Sequence, residues 1–212
     1  MKTRQKILLT ARNLFNEEHF GRVTTAALAE AVGIAEGNLW YHFKSKRALL
    51  DALTEDFIEQ AQGRLALRPA EGSSILNDYT SMLNALASEQ RQYRFLYRDQ
   101  ADYGEHTDVL IDALPRIYAD TFDQFRAFFD AMAQAGHFID PTKDREDLIS
   151  ASILVIRYHL EFQREMGNDA TKGSGVVQGA LLLHLSMLAP HLRASALNAL
   201  HKELEAQRAD VA

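Results

Sequence analysis

The sequence predicts an all-α protein in two parts, a three-helix unit over residues 1–47 and a larger helical domain over residues 48–212. Two observations lead to this prediction. Apolar residues recur three or four positions apart along most of the chain, the spacing of one buried helical face, and strand signals are absent from residue 74 onward. The segment 24–47 also holds two short helical patterns around a glycine turn, followed by the start of a longer helix, as in a helix-turn-helix.

The first predicted helix covers residues 3–19. Its apolar side chains fall on one face: Ile7, Ala11, Leu14 and Phe15. Three basic residues precede or flank it: Lys2, Arg4 and Lys6. These either reach a nucleic-acid backbone or form a solvated basic tip, and the sequence leaves both readings open.

The second predicted helix begins at Thr24 or Thr25, because a threonine oxygen at a helix start can accept a hydrogen bond from an unpaired backbone N–H. Three apolar residues then share one face: Leu28, Ala31 and Val32. Gly33 is expected to end this helix in the left-handed conformation, which glycine adopts at low cost.

The third predicted helix covers residues 36–43 and buries Leu39 and Phe43. Five of its residues face outward or sideways: Gly37, Asn38, Trp40, Tyr41 and His42. An aromatic outer face just before Lys44 and Lys46 is typical of a recognition helix in the DNA major groove. A plain three-helix packing unit explains the apolar spacing equally well, but not the outward aromatic residues beside lysines.

The distribution of charge agrees with contact to DNA, although the chain carries a net charge of −6. Residues 1–50 hold eight Lys or Arg against four Asp or Glu, a net charge of +4. Residues 51–212 hold fifteen against twenty-five, a net charge of −10. A local basic surface matters more for phosphate contact than the total charge of the chain.

The region 7–53 resembles the start of the TetR family of bacterial transcription regulators. The similarity rests on the Thr24-Thr25 pair, the turn around Gly33 and the run GNLWYHFKSK over residues 37–46, followed by Ala48-Leu49-Leu50. The resemblance implies a homodimer on a palindromic operator. It also implies that the dimer interface is a four-helix bundle, to which each chain contributes helices at about 144–166 and 176–188.

The resemblance also assigns the residues that contact DNA. The matching positions are Thr25, Gly37, Trp40, Tyr41, His42 and Lys46. Phosphates are expected to be held mainly by Thr25, Tyr41, His42 and Lys46, and base edges to be reached from Glu36, Gly37, Asn38 and Trp40. Two residues depart from the family. Ala35 stands where a capping serine is common. Glu36 either contacts a base or interacts favourably with the positive end of the dipole of the third helix.

The larger domain is expected to consist of helices. A helix from a Ser45 cap to Arg64 links the two parts, and the others are predicted at 75–89, 93–103, 107–134, 144–166, 176–188 and 190–208. Pro115 is expected to kink or restart the helix over 107–134, and the glycine-rich segment 167–175 to form a loop.

A ligand pocket is expected among the central helices of this domain. Its candidate lining is aromatic: Tyr97, Tyr103, Phe122, Phe125, Phe129, Tyr158 and Phe162. Such a cavity suits a hydrophobic small molecule, although each aromatic residue also fits an ordinary core. Arg157 lies in an apolar stretch and needs an anion, either the carboxylate of Glu161, which we expect, or a ligand carboxylate.

Composition limits the other possibilities. The chain has no cysteine and no apolar run near the ~20 residues of a membrane span, so we expect a cytoplasmic protein without disulfides. The histidines lack metal-ligand spacing, and no nucleophile motif or phosphate loop is present, so we expect no metal, no cofactor and no enzymatic activity.

The sequence therefore predicts a DNA-binding transcriptional regulator that responds to a small, hydrophobic molecule. Repression relieved by the ligand is the commoner behaviour in the family, and activation is the alternative. A regulator of the same fold controlled by a protein partner, with no small ligand, is the second hypothesis. An all-α enzyme with a residual N-terminal resemblance is the third.

Overall fold

The computed structural model describes residues 2–99, 103, 107–168 and 174–209. The helices in these residues are α1 Thr3–Glu18, α2 Thr25–Val32, α3 Glu36–His42, α4 Lys46–Leu65, α5 Ile75–Gln92, α6 Arg94–Arg98, α7 Asp108–Gln134, α8 Glu146–Glu165, α9 Ser174–Leu188 and α10 Ala194–Ala209. No strand forms in this part of the chain, where an antiparallel bridge joins Phe138 and Leu192. The predicted all-α class is confirmed. None of the described helices is long and apolar enough to cross a membrane.

Local capping signals determine where the first helices begin and end. Thr24 caps α2, and its side-chain oxygen accepts a hydrogen bond from the backbone N–H of Ala27 at 3.1 Å. Gly33 ends α2 in the left-handed conformation with φ of 75°. Ser45 caps α4 in the same way as Thr24, by accepting from the N–H of Ala48 at 3.0 Å. All three positions agree with the sequence prediction.

The structure decides two helix boundaries near proline. The helix α7 continues through Pro115, so of the two predicted alternatives, a kink or a restart, the restart is wrong. Proline removes the hydrogen bond to the carbonyl four residues earlier, and Ile111 at that position is 52% exposed, so water can take the place of the missing donor. The last helix begins at Ala194, not at Pro190, because the residues between form a turn in which Arg193 donates its N–H to the carbonyl of His137.

Two further predictions extend beyond the described residues. The short helix α6 covers only the first half of the helix predicted over 93–103, and residues 100–102 lie outside the described part. Residues 169–173 of the predicted loop lie outside it as well. One apolar prediction in α2 is corrected: Ala31 is exposed and Ala29 is buried instead, since α1 packs against that side of α2.

A single apolar core joins the N-terminal unit to the rest of the chain. Phe15 of α1, Leu39 of α3 and Leu50 of α4 are buried in it. The helix α4 packs against α1 and also against α5 and α7. It therefore belongs to both parts of the protein.

Candidate DNA interface and buried pocket

The outer side of α3 is an exposed surface that the fold itself does not use. Gly37 and Asn38 are exposed, Trp40 and His42 are partly buried, and Tyr41 has 76% of its surface exposed. The rings of Tyr41 and His42 contact each other edge to face at 5.3 Å. No heavy atom lies within 4 Å of the place where a Cβ on Gly37 would stand. Internal packing therefore gives no reason for a glycine at this position.

Glu36 connects the two helices of the helix-turn-helix. Its carboxylate accepts a hydrogen bond from the hydroxyl of Thr25 at 2.7 Å. The N-cap residue Ala35 makes no side-chain capping bond, so the carboxylate at the first position of α3 is the acidic group that interacts with the helix dipole. In this arrangement Glu36 is paired with a neighbour within the N-terminal unit.

Lys46 contacts the end of α1. Its ammonium group donates to the backbone carbonyl of Phe20 at 2.5 Å and lies 4.2 Å from the centre of the Phe20 ring. Lys6 similarly donates to the carbonyl of Val32 at 2.7 Å, at the end of α2. Arg4 lies over the ring of Phe43. Several basic groups of the N-terminal unit thus stabilise its own helix ends.

A group of polar contacts, here called the α1–α6 clasp, links the N-terminal unit to the larger domain. The guanidinium of Arg98 donates to the carbonyls of Phe15 and Asn16, both at 2.9 Å, and is paired with the carboxylate of Asp99. That carboxylate also accepts from the N–H of Phe20 at 3.0 Å and contacts His19 Nδ1 at 2.9 Å. The clasp is buried, so its hydrogen bonds form without competition from water.

The clasp shifts the acidity of its carboxyl group. Burial alone raises the pKa of Asp99, but hydrogen bonds and charge from Arg98, together with donors at Phe20 and His19, outweigh it. The pKa of Asp99 is therefore held below its usual range. His19, beside this carboxylate, adopts φ of 69°, which is uncommon for a residue other than glycine.

A cavity of about 50 Å³ lies between α4, α5, α6, α7 and α8. Most of its lining is apolar: Phe57, Leu86, Leu96, Leu110, Leu114, Ile117, Phe125, Ile153 and Ile156. Its other lining residues are Arg64, Glu89, Gln90, Tyr97, Tyr118, Thr121 and Arg157. Its volume is well below the ~300 Å³ of a typical small ligand pocket, so a ligand of ordinary size needs the lining helices to move apart.

Two of the seven residues predicted to line the pocket, Tyr97 and Phe125, do so. The others lie elsewhere. Tyr103 packs on Phe20, and Phe129 on Tyr79 and Phe138, while Phe122 lies beneath the guanidinium of Arg126. Tyr158 and Phe162 are 44% and 55% exposed. The helical period identifies apolar residues, but it does not tell which face of a helix turns to a cavity.

Sequence reasoning missed an ion pair in the cavity wall. Arg64 pairs with Glu89 at 2.9 Å and also donates to Gln124 at 2.8 Å. The Tyr97 hydroxyl donates to the same Glu89 carboxylate. Burial, followed by the nearby Glu89 charge, raises the pKa of Tyr97 well above its ordinary value, so its phenol keeps the proton. These residues lie on four helices, and no spacing in the sequence connects them.

The expectation for Arg157 is wrong in one respect. Glu161, its expected partner, pairs with Arg164 at 2.5 Å. Arg157 instead donates to the hydroxyl of Tyr118 at 2.9 Å and lies 4.7 Å from the centre of the Tyr97 ring. Glu161 and Arg164 are three residues apart on α8 and partly exposed, so they pair at the helix surface.

The helix α8 carries an exposed apolar stripe, here called the α8 outer face. It consists of Leu154, Tyr158, Phe162 and Met166, spaced four residues apart, with exposures between 44% and 63%. Leu183 of α9, which packs against α8, is 49% exposed as well. Contiguous exposed apolar surface of this kind is typical of a protein–protein interface.

Comparison with known families matches nearly the whole chain. A family model described as bacterial regulatory proteins, tetR family, matches residues 7–53. A second model, TetR, described as a bacterial transcriptional repressor, matches residues 57–200. The two matches meet within α4, the helix that both parts of the protein share.

Individual relatives agree with the family models. Tetracycline repressor protein class C of Escherichia coli is 35% identical over 98 residues, which are 46% of this chain and 42% of that protein. The chain thus aligns with less than half the length of this curated relative. A TetR-family regulator from Marinobacter aquaeolei VT8 has a TM-score of 0.80 at 24% identity, with 96% of this chain and 99% of that chain covered. A complex of SmeT with triclosan has a TM-score of 0.55 at 17% identity, with 92% and 93% covered. These two structural likenesses concern the fold.

Proposed function

The chain belongs to the TetR family of bacterial transcriptional regulators, and from this premise we propose that it is a repressor that binds a palindromic operator as a dimer and releases it when a small molecule occupies the buried cavity. The observation that carries the proposal is the outer side of α3. Its exposed glycine, amide and phenol have no role in packing, and they lie on the unit with a net charge of +4.

Two groups of residues divide the work at the operator. Tyr41, His42 and Lys46 hold phosphates, while Gly37, Asn38 and Trp40 face base edges. Thr25 and Glu36 are hydrogen-bonded to each other at 2.7 Å, so Thr25 reaches a phosphate and Glu36 a base edge only if DNA displaces that bond. The exposed amide of Asn38 suits a bidentate contact to adenine, worth ~1–3 kcal/mol of discrimination. Lys46 shares its ammonium between the Phe20 carbonyl and a phosphate, since an ammonium has three donors.

The α8 outer face and Leu183 form the proposed dimer interface. A second copy that covers these residues builds a four-helix bundle from two α8 and two α9 helices. The symmetry then places two α3 helices in successive major grooves, about 34–36 Å apart. Tyr158 and Phe162, predicted from sequence as pocket residues, act in this interface instead, because their exposure is removed by the partner and not by a ligand.

Two connections carry a signal from the cavity to the N-terminal unit. Phe57 and Arg64 of α4 line the cavity, and α4 starts at the Ser45 cap directly after α3. Tyr97 of α6 also lines it, and the next residues along the chain form the α1–α6 clasp. A ligand that widens the cavity displaces both helices, and a coupling of ~1–3 kcal/mol is usual for such linkage.

The small-ligand reading is supported by the cavity and by one structural relative: SmeT, which shares the fold, holds triclosan in its complex. The rival hypothesis is a regulator controlled by a protein partner. The proposal assigns no enzymatic activity to the chain and places its action in the cytoplasm, where operator DNA is found.

Selection of DNA from a randomised library by the purified protein, at low and at moderate salt, tests the proposal. An enriched inverted repeat that persists at the higher salt is the expected result. Tyr41→Ala is expected to weaken binding to that repeat about tenfold or more, since one hydrogen bond is lost in each half-site. Tyr41→Phe is the matched variant that removes only the hydroxyl. Binding without enrichment, which vanishes with salt, would leave only phosphate attraction and reject a specific operator.

A further inference from the structure

Arg157 differs from the other buried arginines of the described chain in its partners. Arg64 and Arg98 are each paired with a carboxylate, Glu89 at 2.9 Å and Asp99 at 2.5 Å. Arg157 is 8% exposed, yet no Asp or Glu in the described chain lies within ion-pair distance of its guanidinium. A buried charge without a counter-ion costs several kcal/mol even after the protein relaxes. This residue therefore needs an explanation that the other two do not.

The surroundings of Arg157 offset only part of that cost. Its Nε donates to the Tyr118 hydroxyl at 2.9 Å, and its Nη1 makes a long 3.4 Å contact with the Tyr97 carbonyl. The rings of Tyr97 and Tyr158 lie 4.7 and 5.2 Å from the guanidinium carbon and add cation–π attraction. Within the described residues, its Nη2 makes no hydrogen bond. These groups orient the guanidinium but supply no negative charge.

A second polar group in the same cavity also lacks a partner. Gln90 is 1% exposed, and its amide nitrogen donates to the carbonyl of Ile156 at 2.7 Å, which determines the orientation of the amide. The other amide atom, Oε1, is buried without a hydrogen-bond partner in the described structure. Both Gln90 and Arg157 line the cavity, and its other two charged lining residues, Arg64 and Glu89, are paired with each other. The cavity therefore presents one cation without a carboxylate partner and one acceptor without a donor.

We infer that the effector of this cavity is an organic anion, a carboxylate on a compact apolar body, whose negative group pairs with Arg157. A hydroxyl or amine on the same molecule donates to Gln90 Oε1, and the apolar body contacts residues such as Leu114, Ile117 and Ile153. The inference rests on the proposed function, because it names the chemical class of the ligand for the same cavity. Arg157 also contacts the carbonyl and the ring of Tyr97 in α6. A bound carboxylate competes with Tyr97 for the guanidinium, so binding of the anion weakens a contact of α6, the helix that leads into the α1–α6 clasp.

Calorimetric titration of the full-length protein tests the inference without DNA. The probes are benzoate, 2-naphthoate and octanoate, each compared with its neutral primary amide at up to millimolar concentration. We expect at least one acid to bind at least tenfold more tightly than its amide. In Arg157→Met the acid is expected to bind no better than the amide, and in Arg157→Lys part of the preference for the acid is expected to return. Arg116→Met removes an exposed arginine and serves as the matched control.

The melting temperature of the ligand-free protein provides a second readout. Arg157→Met is expected to melt no lower than the wild type, since it removes an unpaired buried charge. Arg64→Met is expected to melt lower, because it leaves Glu89 buried without its partner. A loss of melting temperature in Arg157→Met as large as that in Arg64→Met would assign Arg157 a structural role and overturn the inference.

Three other results would also reject it: equal binding of acids and amides, undiminished binding of the acids by Arg157→Met, or no binding by any probe. The failure of this inference is distinct from the failure of the proposed function. If only the neutral amides released the operator, control by a small ligand would be supported and the inference of an anionic ligand would be rejected. If an acid bound but released no operator, the anion-binding site would be supported and control of DNA binding by that ligand would be rejected.

Discussion

The carboxylate of Asp99, directly after α6, accepts a hydrogen bond from the backbone N–H of Phe20, two residues after the end of α1, across 79 positions of the chain. The same carboxylate is held by the guanidinium of Arg98, which in turn donates to the end of α1. The segment that carries Tyr97 into the cavity is therefore tied to the N-terminal unit by buried charges.

Asp99→Asn is expected to destabilise the whole chain, because it leaves the Arg98 guanidinium buried without a counter-ion. Loss of one partner from a buried pair costs about 3–5 kcal/mol, which urea unfolding measures directly. Asp123→Asn removes a carboxylate from an exposed pair with Arg126 and is expected to cost less than about 1 kcal/mol. If both variants unfolded at the same urea concentration, the clasp would contribute nothing special to stability.

Gly37→Ala is expected to separate folding from DNA binding. Nothing lies within 4 Å of the new Cβ and α3 is helical there, so alanine stabilises the helix by up to about 1 kcal/mol. Operator affinity is nevertheless expected to fall at least tenfold, because the methyl group occupies the space into which DNA must come. Gly63→Ala, at an equally open position on α4, is the matched control and is expected to leave operator affinity unchanged. Wild-type affinity in Gly37→Ala, measured by fluorescence anisotropy, would remove Gly37 from the interface.

Phe162→Glu is expected to convert the proposed dimer into a monomer, because it places a charge within the α8 outer face, the proposed contact with a second copy. Light scattering of the protein as it elutes from a size-exclusion column measures the mass of the particle in solution. Ile139 lies in the turn before α8 and is exposed to a similar degree, 57% against 55%, so Ile139→Glu should leave the mass unchanged. A wild-type protein that is monomeric at micromolar concentration would contradict the proposed interface.

His184 is expected to make stability fall in mild acid. Burial lowers the pKa of His184 to about 3, whereas a histidine in the unfolded chain has a pKa of about 6.5. Because the pKa of His184 is lower in the folded protein, the unfolded chain takes up the proton first as pH falls. The contribution of His184 to the free energy of unfolding is therefore complete above about pH 6.5. It decreases by up to about 1.4 kcal/mol per pH unit as pH falls towards the pKa of the folded protein. Urea unfolding at a series of pH values measures this slope.

The matched variant for that series is His184→Phe combined with Tyr79→Phe. The second change is needed because the Tyr79 hydroxyl lies 2.6 Å from His184 Nε2 and would otherwise lose its partner. The double variant is expected to lose less stability between pH 6.5 and about 4.5 than the wild type, since no buried imidazole has to be protonated. Equal slopes would show that other groups produce the acid dependence.

Much of the local architecture was predictable from the sequence because its causes are local. A threonine or serine oxygen reaches an N–H only three residues away, which places the starts of α2 and α4 at Thr24 and Ser45. Gly33 adopts the left-handed conformation that a helix end favours. The outward position of Tyr41 followed from the period of α3. None of these depends on which distant helix packs alongside.

Tertiary structure decided which residues line the cavity and which groups its charged residues pair with. Tyr97 and Tyr158 are both aromatic residues on helices, yet one lines the cavity and the other lies on the exposed α8 outer face. Arg157 and Arg64 are both buried, but only the second meets a carboxylate, 25 positions away on the next helix. The sequence by itself determined the helices, their caps and the exposed side of α3, since each depends on neighbours within a few residues. Only the docking of five helices decided which polar groups meet, because a buried charge is satisfied by distance in space and not by spacing along the chain.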